Sequence, residues 1–386
     1  MKKQLTRIAS WMLLATMGQA GAFAQNIRID MNQTYPEKTI SLQKVADVKY
    51  IPLETTDEML FNGIVTNLSA EGIAGFNKKE GDILVFDGTG KAIASFNHTG
   101  QGPNEYNKIY HLDVDWKQKE VYVQDNFRQK IRIYGLDGRH LRTIDLQETM
   151  QEGDLYSFSD THLIYYAKPK SKPVTPYEPV TLLSKKDASK VTLPFTKTDD
   201  NLVKATGGPF GDMKMSAKNV NLLCKKGDEV YVNEVTADVI YRVESNHALT
   251  PVVERTPSYQ DASGQDFFLM LTGANARYYF FKRQQALLEF QGNAATDTKS
   301  TYVAYDRKEK QLLNPTFTNE DYPSQDIPMS KLLQCAGSAN RCYLQLEAFK
   351  LKEALAEGKL KGTLKSIAEK LDEEDNPVLM VVEFKK

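Results

Sequence analysis

The sequence is poor in the residues that staple or metallate small exported domains: 386 residues hold three cysteines, five histidines and two tryptophans. No Cys-x-x-Cys pair and no Cys/His spacing of the zinc-site kind occurs, which excludes a structural zinc site. Cys335 and Cys342, seven apart in a polar stretch, could form a local bridge, while Cys224 reads as a packed thiol in an apolar strand over 219–224. Excess charge is missing as well, with 49 basic residues against 50 acidic ones and a net charge of −1. Such a balance gives no electrostatic footprint for nucleic acid or an anionic membrane. Beyond the first residues no apolar run approaches the roughly 18 residues of a membrane-spanning helix, so no transmembrane segment is expected. No His-Glu-x-x-His and no ordered Ser/His/Asp set stands out, and nothing calls for a cofactor.

What is there begins with a leader. Lys2, Lys3 and Arg7 form a basic start, residues 8–17 an apolar stretch, and Ala22-Phe23-Ala24 a small-x-small site before Gln25. This is the pattern of a secretory signal peptide over 1–24, which leaves 25–386 as a single mature domain. No cysteine lies near the cleavage site, so an acylated anchor is not indicated and the expected location is periplasmic or extracellular. The full sequence is 41% hydrophobic and 26% charged, an ordinary globular composition.

An internal repeat then sets the architecture. A shift of 48 places Ile73 on Val121, Ile83 on Ile131, Val85 on Ile133, Phe86 on Tyr134 and Gly90 on Gly138 without a gap. The apolar positions recur with period 2, the strand period, and Thr89-Gly90 and Asp137-Gly138 read as hairpin turns. Further shifts lay Val121-Tyr122-Val123 on Val230-Tyr231-Val232 and Val85-Phe86-Asp87 on Ala304-Tyr305-Asp306. A unit at 163–166 and 180–183 carries a Pro/Lys-rich insertion over 168–179. Repeats of about 40 to 50 residues, each of four strands, are the signature of a β-propeller. Radial stacking covers both apolar faces of every unit, and closing the circle leaves no end unit bare.

The tail changes period. Leu344, Ala348, Leu351 and Leu355, then Leu364, Ile367, Ala368 and Leu371, recur at helical spacing, so 344–371 is predicted to be a helical insertion. Asn376-Pro377 ends it, and 378–384 is predicted to be a closing strand that pairs near Val48 to Leu53 and locks the ring. The predicted fold class is therefore all-β, a six-bladed β-propeller with a short helical insertion before the C-terminal closing strand.

The run Tyr50-Ile51-Pro52-Leu53-Glu54-Thr55, the loop Gly100-Gln101-Gly102-Pro103-Asn104-Glu105-Tyr106, the two Gly turns and the terminal Glu374-Asp375-Asn376-Pro377-Val378-Leu379 carry a resemblance. The chain resembles the six-bladed β-propeller proteins exported by Bacteroidetes, which are related in fold to NHL-type propellers. The resemblance implies six blades and an envelope location, and it brings no catalytic residues.

Ligand contacts are expected on the face where outer strands connect to the next inner strand. There the 100–106 loop offers Gln101, Asn104, Glu105 and Tyr106, the 125–128 turn offers Asp125 and Arg128, and Tyr177 stands in the insertion between Pro176 and Pro179. Glu105 and Arg128 could pair with each other or hold a polar ligand between blades. His111, Asp113 and Asp115 alternate along an inner strand, and they are expected to be solvated channel or turn residues rather than metal ligands. The expected function is a non-catalytic binding or assembly propeller presenting its loop face to a glycan, peptide or envelope protein. The alternative is a metal-dependent, lactonase-like hydrolase or lyase with its site at the channel mouth.

Overall fold

The computed structural model describes residues 27–146, 149–168, 177–196, 202–206, 213–216, 222–227, 229–261, 267–291, 294–295, 299–329 and 341–385. The leader, Cys335 and most of the 168–179 insertion lie outside the described residues.

Six sheets form a ring. The first blade is Ile64–Leu68, Gly72–Phe76, Ile83–Asp87 and Ala92–Phe96, and the second is His111–Asp115, Glu120–Asp125, Lys130–Gly135 and His140–Asp145. Both are simple antiparallel meanders counted outward from the channel. Thr149–Ser157 starts the third blade, Leu223–Lys226 the fourth and Phe267–Ala274 the fifth. The shift of 48 therefore superposes second strand on second strand and third on third. The turns at Gly90 and Gly138 have φ of +90° and +81°, conformations that a side chain at Cβ rarely tolerates.

The sixth blade is built from distant parts of the chain. Arg341–Leu346 pairs with Val378–Phe384, and Val378–Phe384 pairs in turn with Ala46–Pro52, with Val48 opposite Val382 and Ile51 opposite Leu379. Two strands that the repeat pattern did not predict precede Ala46–Pro52. Ile27–Asp30 lies parallel on the outer edge of blade four, and Glu37–Ser41 lies parallel on the outer edge of blade five. Residues 27–52 thus form a strap around the outside of three successive blades.

Cores sit between blades, because each sheet is apolar on both faces. In the strand Tyr278–Gln285, Tyr278 and Phe280 pack with Phe317, Val382 and Phe384, whereas Tyr279 and Phe281 pack with Tyr231, Val253 and Leu271. One strand therefore supplies two cores, and each fully buried ring contributes roughly 1.5–3 kcal/mol.

The helical insertion is shorter than its pattern. Leu344 belongs to the strand Arg341–Leu346, and the helices span Ala348–Ala356 and Gly362–Ala368. Leu344 keeps helical spacing with Ala348 only by coincidence, since its side chain packs beside Met380 and Val382 between blades. The Cys224 strand is likewise displaced, to Leu223–Lys226. Gln345 Nε2 donates to Gly63 O at 3.3 Å and the Tyr343 hydroxyl donates to Val65 O, so Arg341–Leu346 runs against Ile64–Leu68. Segment 347–377 consequently leaves the ring on the same face as the connections 53–63 and 97–110.

Candidate functional site

On that face, the 100–106 loop and the 125–128 turn of neighbouring blades form one closed polar unit. Arg128 Nη1 donates to Gly102 O at 3.1 Å and to Glu105 O at 3.5 Å, while Nη2 donates to Gly100 O at 3.2 Å and to Gln101 Oε1 at 2.6 Å. A planar guanidinium with five donors suits this role, because it satisfies several loop carbonyls from one point. Glu105 does not pair with Arg128. Its carboxylate folds back to accept the Gly102 N–H at 2.6 Å, and a Cβ at position 100 would meet that carboxylate at 2.0 Å, so a side chain there would displace it.

Tyr106 and Asp125 are fully buried beneath the loop. The Tyr106 hydroxyl donates to Gly81 O at 2.7 Å and accepts from His98 N at 3.0 Å, and burial pushes its pKa up to about 12. Asp125 accepts from Asn107 N at 3.0 Å and from Arg128 N at 3.2 Å. Tyr134 of blade two closes the unit by donating to Asn104 O at 2.7 Å. Four of the residues singled out from the sequence (Glu105, Tyr106, Asp125, Arg128) are thus engaged in holding backbone. The exposed side chains of the unit are Gln101, Pro103, Asn104 and Phe127, the last 72% exposed at the tip of its turn. Phe127 went unmarked in the sequence because a lone ring in a turn carries no periodicity.

Tyr177 lies elsewhere on this face. It is half-buried beside the Tyr166 hydroxyl, which donates to Glu234 Oε2 at 3.1 Å.

Below the mouth, the inner strands hold a second polar assembly. Asp113 is buried rather than solvated. Its carboxylate accepts from Asn67 Nδ2 of blade one at 2.7 Å, from Ser157 N of blade three at 2.6 Å and from Lys225 Nζ of blade four at 3.1 Å. Burial works to raise its pKa, but Lys225, Ser157 N–H and His111 together hold it below the ordinary carboxylate value. Asp115 is paired with Lys185 at 2.6 Å, and Lys185 also donates to Ser157 Oγ and Ser159 O. Burial pushes the His111 pKa down to about 4, against a counter-pull from Asp113, and its ring meets Tyr156 edge-on at 5.2 Å. Four blades meet on one carboxylate here. Among the described residues no three His, Cys, Asp or Glu side chains come together as a metal-binding group.

Residues 26–383 match the model of a family described as a domain of unknown function, DUF4934. A solved Bacteroides fragilis protein described as exported shares 15% identity, with 93% of this chain and 99% of that chain covered and a TM-score of 0.63. A member of the DUF4221 family from Bacteroides vulgatus shares 9% identity, with 89% and 98% covered and a TM-score of 0.51. These likenesses extend to the fold. No curated protein matches the chain. No helix among the described residues is long and apolar enough to cross a membrane.

Proposed function

Since the chain belongs to the DUF4934 family, whose description assigns no activity, we propose from its own geometry that it is an exported, non-catalytic binding propeller. Its loop face serves a glycan, peptide or envelope protein. The carrying observation is the division of labour in the 100–106 and 125–128 unit: the side chains of Arg128, Glu105, Tyr106 and Asp125 bind backbone groups, Arg128 also fixes the Gln101 amide oxygen, and Gln101, Asn104 and Phe127 are exposed on that base. An exposed ring flanked by amide side chains offers stacking together with paired donors and acceptors. Tyr177 extends the surface toward blade three. In the channel, Asp113 and Asp115 are each matched by a lysine, so neither presents an open carboxylate of the kind a channel-mouth metal enzyme uses.

Glycan-array and envelope pull-down screening supplies the ligand, and Phe127→Ser with Gln101→Ala and Asn104→Ala tests the surface. Binding should fall while the melting temperature stays put. A ligand whose binding ignores these three changes places the site elsewhere.

A further inference from the structure

A second feature of the loop face lies at blade six, away from Phe127. A hollow of about 230 Å³ opens between residues 60–62, the start of the helix Ala348–Ala356 and residues 373–377. A larger one of about 490 Å³ adjoins it on the other side of Glu347, which lines both, and is bounded by Ile64, Tyr322, Asp326 and Lys350. Seven large apolar side chains are exposed among the described residues, and three of them, Leu60, Ile64 and Phe349, border these hollows at 57%, 37% and 46% exposure. Scattered single exposures are ordinary, but clustering around a concavity marks an interaction surface.

The charge around it is one-sided. Asp326, Glu347, Glu373, Glu374 and Asp375 line the two hollows with Lys350 as the single cation, and none of these five carboxylates forms an ion pair among the described residues. The lysine itself lies over the Phe349 ring, 5.6 Å from its centroid. The floor is fixed: the Asn376 side chain accepts from Phe61 N at 2.7 Å and donates to Glu54 O at 2.8 Å and to Met59 O at 2.5 Å, and its backbone N–H donates to Thr55 Oγ1 at 2.8 Å. The walls 60–62 and 373–377 are therefore tied together through one buried amide, which preorganises that side of the surface.

We propose that this cleft docks an extended segment of a protein partner in which apolar side chains are flanked by lysine or arginine. Apolar anchors would enter beside Leu60 and Phe349. The cationic neighbours would meet the Glu373–Glu374–Asp375 rim, where opposite charge steers encounter and fixes orientation. The proposal is independent of the Phe127 surface.

The test is selection of a randomised twelve-residue phage-displayed peptide library on the full chain at low salt, followed by titration of the selected peptides. Enriched peptides should combine apolar residues with at least two Lys or Arg. Leu60→Ser/Phe349→Ser should weaken them tenfold or more, Glu373→Gln/Glu374→Gln should weaken them several-fold and flatten their salt dependence, and Val191→Ser, on the outer strand of blade three, should leave them unchanged. Melting curves accompany each variant, and if the apolar pair fails to fold, the isosteric Glu→Gln pair decides. An absence of enrichment, peptides without net positive charge, or peptides that bind the Glu→Gln variant as well as the parent would overturn the proposal.

Discussion

The channel assembly and the loop platform are both polar, both join neighbouring blades, and differ in what they satisfy. In the channel, Asp113 and Lys225 neutralise each other across the ring with 4% and 15% of their side chains exposed. On the platform, Arg128 meets no carboxylate and spends its donors on carbonyls of a single loop and one amide oxygen. The first arrangement binds side chain to side chain between strands that are fixed anyway. The second uses a side chain to give a loop one conformation. A charge pair of the first kind is strongly coupled to the fold, whereas the second shapes a surface at modest energetic weight.

Removing one partner in the channel should produce the largest effect. Lys225→Met leaves the Asp113 carboxylate buried with only neutral donors, and Asp113→Asn leaves the ammonium. Each should cost about 3–5 kcal/mol in denaturant unfolding, and the double variant should cost clearly less than the sum. Additive losses would show that the pair is not coupled.

Acid should separate the two regions next. The native pKa of His111 lies below its ordinary 6.5, at about 4, so the unfolded chain takes up the proton first and stability falls as pH drops through that window. The contribution is up to about 3 kcal/mol, from roughly 1.4 kcal/mol per pKa unit. Asp113, whose native pKa is depressed, adds stability above the ordinary carboxylate value, and this is lost as pH falls below about 4 through the native value. Melting temperature recorded from pH 7 to 3.5 should fall throughout, and His111→Gln should flatten the upper part of the curve. Arg128→Ala should leave its slope unaltered.

On the platform, Arg128→Ala should cost about 2 kcal/mol, since it frees carbonyls that water can partly recover. Faster amide exchange confined to 100–107 would accompany it, and exchange spread over blade two would contradict the local role. Smallest of all, Phe127→Ser should shift stability by no more than about 0.5 kcal/mol, because the ring touches solvent more than protein. A larger shift in urea unfolding would make Phe127 a packing residue.

Much of the ring was legible because its signal is local. The match of Ile73 with Val121 and of Val85 with Ile133 reports strand period, and Gly90 and Gly138 report turns, all within one repeat. The closing strand was legible through its apolar run and the Asn376-Pro377 stop. Pairings that span the chain were not. Nothing in the sequence marks Lys225, and only topology sets it against Asp113, 112 residues earlier. Ile27–Asp30 and Glu37–Ser41 are short, and the edges they meet lie more than 200 residues on. In the candidate site, the residue types were informative and their roles were not: Glu105 and Arg128 look like a pair in sequence, yet each turns to backbone.

The strap also has a meaning in time. Synthesis delivers residues 27–52 before the strands they lie on, since their partners near Val253, Thr316 and Val382 emerge in that order afterwards, the last of them within a few residues of the end of the strand Val378–Phe384. Until then the strap has nothing to lie on, and blade six does not exist. Blades one and two can form from neighbouring residues while the rest waits, a sequence of events typical of folds dominated by distant pairings. The ring therefore stays open until the strand Val378–Phe384 has been made, because that strand is the one that joins Arg341–Leu346 to Ala46–Pro52.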